Sequence, residues 1–149
     1  MSGPLEPGVF FTDRDLGNRF PQILAAAGLT VKKHSDHFRA NCPDEEWLKI
    51  IGQKGWTAIT HDGRIRYKPN ELDAVIRNDV ALLVVVGKAS FQELAQNFVA
   101  TIPKIMELLK THSPPLIAKI YRPSSKGIAK DSNSPGSAEL WYPKPQNPN

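Results

Sequence analysis

The chain has 149 residues, of which 40% are hydrophobic and 23% are charged, a balance that excludes a disordered chain and fits one folded domain. A net charge of +4 favours polyanionic partners only weakly. The single cysteine, Cys42, excludes an internal disulfide framework. Because no apolar run reaches ~18 residues and the N-terminus lacks the features of a signal peptide, we expect a cytoplasmic protein without a membrane partner.

The first half of the chain alternates between strand and helix patterns. The apolar residues 9–12 predict a buried parallel strand that ends at Asp13 and Asp15. A helix is predicted next, up to Gly28, and then a strand over 29–33 and a polar loop over 34–37. A second helix begins near Pro43 and ends between residues 52 and 55. The apolar stripes of these helices are Leu16, Phe20, Ile23, Leu24 and Ala27 in the first, and Trp47, Leu48 and Ile51 in the second.

The second half continues the alternation. Residues 56–60 predict a third strand, which is followed by Asp62 and by a short helix over 69–77. The strongly apolar residues 80–86 predict a central strand. Ser90 and Glu93 have the spacing of a capping box for a long helix, which Pro103 is expected to kink. Residues 116–121 predict the fifth strand.

This order predicts a three-layer α/β/α domain around a mostly parallel sheet of about five strands. We assign residues 9–122 to the domain, 1–8 to a flexible N-terminus and 123–137 to a flexible loop rich in Pro, Ser, Gly and Lys. Residues 138–142 are predicted either to return as an antiparallel edge strand or to belong to a disordered tail. Residues 143–149 are expected to be disordered.

Acidic residues follow three of the predicted strands. Asp13 and Asp15 come after the first, Asp36 after the second and Asp62 after the third, and the carboxyl ends of parallel strands lie along one edge of a sheet. Asp44 opens the second helix on the face that carries Trp47, so it is expected to point inward. The sequence therefore predicts that acids from separate segments converge at one edge.

Such converging carboxylates repel one another. Two of them ~4 Å apart cost roughly 4 kcal/mol at an effective dielectric constant of 20, so they take up protons or bind a cation. Oxygen ligands favour Mg²⁺ or Mn²⁺ over zinc. The alternative is that these are solvated loop aspartates and helix caps.

Four motifs, in order, resemble the PIN-like domains of VapC-type toxins: Phe-Phe-Thr-Asp-Arg-Asp-Leu-Gly at 10–17, Asp-His-Phe at 36–38, Pro-Asp-Glu-Glu-Trp-Leu at 43–48 and Ile-Thr-His-Asp at 59–62. The similarity extends from about Val9 to Tyr121. It is greatest to a subgroup with an Asp-Glu-Glu-Trp-Leu helix start and an Arg-Ile-Arg after the third-strand Asp. The resemblance implies a ribonuclease fold.

The resemblance also implies the roles of individual residues. Asp13, Asp44 and Asp62 would be the catalytic acids that hold Mg²⁺ or Mn²⁺, and metal-activated water would hydrolyse an RNA phosphodiester. The further acid that most such nucleases carry has only Asp36 as its candidate here. Thr60 would support the acids through its hydroxyl. A cognate antitoxin protein is the implied partner, and many relatives form homodimers.

Three other groups of residues have positions that suggest a role near the acids or argue against one. Asp15 is expected one turn outward from Asp13, as a helper or as a cap of the first helix, and His37 is expected to orient a ligand. His34, His37 and Cys42 do not make a zinc site, since a fourth ligand is lacking. The candidate RNA-binding residues are Arg14, Arg64, Arg66 and Lys68, with a solvated basic loop as the alternative.

Two other functions share parts of this pattern. A receiver or aspartyl-phosphate domain also has paired acids after the first strand and an Asp after the third, but residues 86–88 lack the Ser or Thr expected after the fourth strand. A non-catalytic interaction module could keep the fold and part of the acid group. RNA cleavage in the presence of a divalent cation separates these functions.

Overall fold

The computed structural model describes residues 8–123 and 134–144, with the side chain of Arg66 left out. A six-stranded sheet forms the centre, with the strand order β2-β1-β3-β4-β5-β6. The first five strands are parallel and the sixth is antiparallel to β5. The strands are β1 (Val9–Thr12), β2 (Thr30–Lys33), β3 (Thr57–Thr60), β4 (Ala81–Val85), β5 (Leu116–Tyr121) and β6 (Ser137–Tyr142).

Helices cover both faces of this sheet, as the three-layer prediction requires. They are α1 (Arg19–Ala26), α2 (His34–His37), α3 (Asp44–Lys54), α4 (Pro69–Arg77) and α5 (Phe91–Thr111), and 3₁₀ turns span Arg14–Leu16 and Gly63–Arg66. On one face, α1 and α5 form a core with Phe10. On the other face, α3 and α4 form a core with Phe11. Successive residues of β1 thus enter different cores, as the two-residue period of a strand demands.

The predicted elements are found close to their expected positions, with one error. Residues 34–37 were predicted as a polar loop, but they form the short helix α2, in which His34 is buried. Four polar residues show no apolar period, and the burial comes from aromatic neighbours in other segments. Helix α5 begins at the predicted cap, where the Ser90 hydroxyl accepts the Glu93 N–H, and it continues through Pro103.

The edge-strand prediction for residues 138–142 is confirmed, since β6 pairs with β5. Helix α5 anchors the residues that lead into β6. Gly136 N–H donates to the Thr101 hydroxyl (2.9 Å), and Lys104 Nζ donates to the Gly136 carbonyl (2.8 Å). Gly136 is buried, and a Cβ on it would lie 1.7 Å from the Tyr121 carbonyl oxygen, so only glycine fits there.

The parallel register aligns the carboxyl ends of the first three strands. Thr12 is the partner of both Lys33 on β2 and Ile59 on β3. The residues that follow these strands therefore lie along one edge of the sheet. The predicted flexible segments 1–8, 123–137 and 143–149 lie largely outside the described residues, and those boundaries stay predictions. Within the described ranges, no helix is long and apolar enough to cross a membrane.

Candidate active site

Asp13 and Asp15 lie at the carboxyl ends of β1 and β3. Asp13 directly follows β1, and its N–H donates to the Ile59 carbonyl of β3 (2.9 Å), which extends the strand pairing to the first acid. The chain then turns sharply through the 3₁₀ turn. That turn ends at Gly17, whose φ of +66° and ψ of −155° are a conformation almost confined to glycine. This turn brings Asp15 back toward β3.

Thr60 connects the two acids, which we call the acid pair. Its hydroxyl oxygen lies 2.9 Å from Asp13 Oδ2 and 3.1 Å from Asp15 Oδ2, so its single hydrogen serves one of them at a time. The same hydroxyl accepts the N–H of Asp62 (3.1 Å), which orients the hydrogen toward the acids. Two further backbone donors complete the set: Arg14 N–H to Asp13 Oδ1 (2.7 Å) and His61 N–H to Asp15 Oδ2 (3.0 Å).

For both acids of the pair, the ionised form of the carboxyl group is unfavourable. Burial, and then the charges of Asp15 and Asp44, raise the pKa of Asp13 from 3.8 to about 7 despite the hydrogen bond from Thr60. Asp15 is more exposed, but desolvation of its carboxyl, and then the charge of Asp62, also raises its pKa. At neutral pH the pair can therefore hold a proton, or it can be relieved by a cation.

Asp44 reaches the same region from α3. It is half-buried in the first turn of the helix, and its Oδ1 accepts the indole N–H of Trp47 (2.9 Å). Trp47 is fully buried, and a buried indole needs such an acceptor. This explains why Asp44 points inward, as predicted, whereas Glu45 and Glu46 are exposed.

Asp62 has a different environment, although it follows β3 as predicted. Its Oδ1 accepts the backbone N–H and the Nε–H of Arg64 (both 3.0 Å), and Lys68 Nζ lies 3.6 Å from its Oδ2. Burial acts to raise its pKa, but the hydrogen bonds from Arg64 and the charges of Lys68 and Arg64 outweigh burial, so the pKa of Asp62 lies below its ordinary value. Asp62 is neutralised by its own neighbours.

The remaining predicted residues lie around this centre or away from it. Arg14 is exposed in the 3₁₀ turn beside Asp13, and Asp36 is exposed on α2. The ring of His37 contacts Trp56, which precedes β3, whereas the acids follow the opposite end of that strand. The structure therefore does not bring His37 to the acids. For Arg66 only the backbone is described, at the end of the second 3₁₀ turn.

Two features of the site were missed or misjudged from the sequence. Asp15 was expected one turn outward, but it shares Thr60 with Asp13. His34 was dismissed with the zinc hypothesis, yet it is buried against Phe11 and Trp47, and the charges of Arg14 and Asp44 act on its pKa. Its position directly after β2 was the available signal. Burial and Glu46 raise the pKa of the Cys42 thiol, which disfavours its reactive thiolate form.

The donor set suits a hard cation better than zinc. The acid pair offers carboxylate oxygens whose charge is unfavourable without a counter-ion, which fits Mg²⁺ or Mn²⁺. Among the described residues, no group of three or more His, Cys, Asp or Glu side chains is placed to hold a metal ion. Mg²⁺ is commonly held by one or two carboxylates with water and substrate phosphate, so a pair is sufficient.

Comparison with known proteins gives one match. A family model described as a PIN-like domain matches residues 8–87, just over half of the chain, and this range contains every acid predicted for the site. No curated protein and no solved structure matches the chain.

Proposed function

The chain belongs to the PIN-like domain family, and from that premise we propose that it is a ribonuclease that uses Mg²⁺ or Mn²⁺ to hydrolyse RNA phosphodiesters. The fold is of a nuclease type. The observation that carries the proposal is the acid pair: two carboxylates meet at one hydroxyl at the carboxyl edge of the sheet, and the pKa of Asp13 is raised to about 7. Such a costly arrangement favours a functional role over a structural one.

Asp13 and Asp15 would hold the cation, with Asp44 and Asp62 on either side of them. The cation would activate water and stabilise charge on the phosphoryl group. Thr60 keeps the two carboxylates together and oriented, and Asp44 is held in place by Trp47. In this proposal Asp15 takes the place of the further acid for which the sequence offered only Asp36.

The basic residues beside the acids support RNA as the substrate. Arg64 and Lys68 flank Asp62, and Arg14 follows Asp13 directly. The Arg64 side chain is 81% exposed, so a backbone phosphate can reach it. Tyr67 lies between the basic residues; its ring contacts Trp141 edge-on and is also exposed to solvent, where a base can stack.

The finer assignment extends from the motif resemblance. We propose a VapC-type toxin that acts in the cytoplasm and is neutralised by a cognate antitoxin protein, and the homodimer stays a prediction. Expression of the chain in a bacterial host is expected to slow growth, and Asp13→Asn is expected to remove that effect. Equal toxicity of the variant would contradict a nuclease toxin.

The decisive experiment is cleavage of end-labelled single-stranded and structured RNA by purified protein with Mn²⁺, Mg²⁺ or EDTA. We expect cleavage with the cations, none with EDTA, and loss of cleavage in Asp13→Asn and Asp15→Asn. Glu45→Gln is the matched control, because Glu45 is an exposed acid beside Asp44 and should keep full activity. Cleavage that is unchanged in both Asp variants would come from a contaminant.

A non-catalytic interaction module is the second candidate, since Arg64 and Lys68 already neutralise Asp62. That function predicts RNA binding without cleavage under every cation condition. Transfer of phosphate to Asp62 or Asp13 from a small phosphodonor would instead indicate phosphoryl-aspartate chemistry.

A further inference from the structure

A polar cavity lies beside the acid pair, on the side of β2. Its volume is about 210 Å³, which is room for roughly seven waters at about 30 Å³ each and more than a single metal ion requires. Its walls come from the ends of β1 and β2, the first 3₁₀ turn and the start of α1. Asp13 lies on its wall, so a ligand in the cavity would be next to the proposed metal site.

Two buried polar atoms in the wall residues have no hydrogen-bond partner within the described part of the chain. They are Oγ1 of Thr12 and Nδ1 of His34, in residues that are 1% and 3% exposed. Buried polar atoms without a partner are rare, and each one needs an explanation. Two of them at one cavity point to a ligand that supplies hydrogen-bonding groups.

The charge around the cavity identifies the class of that ligand. Arg14 and Lys33 line it, and neither forms an ion pair with any other described residue. The N-terminus of α1 also lies at the wall. Its first turn contains no acid, and the side chain of its N-cap, Asn18, makes no capping hydrogen bond. A helix N-terminus without a side-chain cap, together with two cations, favours an anion with several oxygens.

We propose that this cavity binds a phosphate of the RNA backbone that adjoins the phosphate being cleaved. The inference rests on the proposed function only in taking RNA as the source of that phosphate. A nucleobase fits less well, since, apart from Asp13 and His34, the wall presents two cations and small residues. The cavity would set which bond of the strand lies at the acid pair.

Binding is tested without cleavage by following backbone amide signals in NMR with EDTA present. The probes are inorganic phosphate, the dinucleotide UpU, its 5′-phosphorylated form pUpU, and uridine. The phosphate-bearing probes should shift the amides of Gly17, Asn18 and Ser35, with pUpU binding more tightly than inorganic phosphate, and uridine should not. Equal shifts with uridine would mean a base site, and tighter binding of inorganic phosphate than of pUpU would mean a free-anion site. Either result overturns the proposal.

Lys33→Gln tests the wall directly, and its neighbour provides the control. Lys33→Gln should weaken binding of pUpU about tenfold, the loss expected for one charge-assisted contact. Lys32→Gln removes the same charge one residue away, on the opposite face of β2, and should change binding less than about twofold. Equal weakening by both variants would mean that only the net charge of the protein matters, and it would contradict specific binding in this cavity.

A second variant covers the case in which Lys33→Gln does not fold. Asn18→Asp keeps the side-chain size, and Asp is as favourable as Asn at the start of a helix, so the fold should be retained while added negative charge repels phosphate. Unchanged pUpU binding in this variant would overturn the proposal. If the amides respond but Mn²⁺ gives no cleavage, the cavity stands and the nuclease proposal fails. If Mn²⁺ gives cleavage but the amides do not respond, the nuclease proposal stands and the cavity proposal fails.

Discussion

Two acidic sites at the same edge of the sheet differ in how their charge is balanced. In the acid pair, Asp13 and Asp15 share one hydroxyl, and their pKa values are raised. At Asp62, which follows the neighbouring strand, Arg64 and Lys68 supply positive charge and the pKa is lowered. The topology brings both sites to one edge, but nearby residues in the chain decide whether the negative charge is neutralised. At Asp62 these are Arg64 and Lys68, two and six positions later. The acid pair can accept a metal cation, whereas Asp62 already has two cationic side chains, Arg64 and Lys68, beside it.

The pH dependence of stability without divalent cations should show the largest difference. Because the pKa of Asp13 rises from 3.8 unfolded to about 7 folded, the folded state holds the extra proton, and stability is lost as pH rises through this range. The loss is at most about 4 kcal/mol at 1.36 kcal/mol per pKa unit. Asp62 has a lowered pKa, so its contribution is lost only as pH falls below its ordinary titration range.

Chemical denaturation at several pH values between 4 and 8 in EDTA measures this loss. His34 has a lowered pKa and contributes with the opposite sign below pH 6.5, so the informative quantity is wild type minus Asp13→Asn. That difference should decrease with pH and then level off above pH 7. Mn²⁺ at pH 8 should stabilise the wild type and leave Asp13→Asn unchanged. A difference that does not vary with pH would show that Asp13 titrates normally.

Removal of one acid from each site compares their roles in cleavage. Asp13→Asn should lower kcat/KM at least ~100-fold, since even groups that only orient metal ligands are worth 10–100-fold. Asp62→Asn should cost less, about tenfold, because its carboxylate is engaged by Arg64 and Lys68. Initial rates on one RNA at saturating Mn²⁺ provide the comparison. Equal losses would mean that the ion pairs open during catalysis and that both sites act as one.

Thr60→Val tests the hydroxyl that the acid pair shares. Valine fills the same space without the donor, so activity should fall ~10-fold and the pKa of Asp13 should rise further. Thr60→Ser keeps the hydroxyl and is the control. Activity-against-pH profiles measure both quantities, and a Thr60→Val profile identical to that of Thr60→Ser would reduce Thr60 to a packing residue.

Arg64→Gln should have the smallest effect, and it changes the neutralised site around Asp62 and not the acid pair. Loss of the guanidinium should raise the pKa of Asp62 and weaken RNA binding a few-fold, as expected for one exposed phosphate contact. Carboxyl-carbon NMR titration and fluorescence anisotropy measure the two changes. Arg77→Gln, which changes an exposed residue of α4, is the control. If Asp62 titrates in this variant as it does in the wild type, Lys68 alone is enough to keep the pKa of Asp62 low.

Local pattern predicted much of the fold. The helix at 69–77 and the strand at 116–121 have the predicted limits, because Pro69 starts the first and an apolar run marks the second. Asp44 was predicted to point inward from helical spacing alone. The short helix α2 was missed, since the burial of His34 depends on Phe11 and Trp47 from other segments.

The electrostatics of the site depended on contacts that no local pattern contains. Asp15 reaches Thr60 only because β1 pairs with β3 and the chain turns at Gly17. Arg64 and Lys68 were predicted to hold RNA phosphates, and their contact with Asp62 requires the 3₁₀ turn between them. The family match agrees with the predicted PIN-like fold, and the roles of the individual acids stay predictions.

The attachment of β6 through Gly136 also has a consequence for solubility. With β6 in place, β5 is paired on both sides, and the opposite border of the sheet is β2, a strand of four residues that ends in two lysines. Short, charged border strands resist pairing with other chains. A chain that loses β6 would instead expose the apolar border of β5, and an exposed apolar strand border is a site for pairing with other chains and for aggregation.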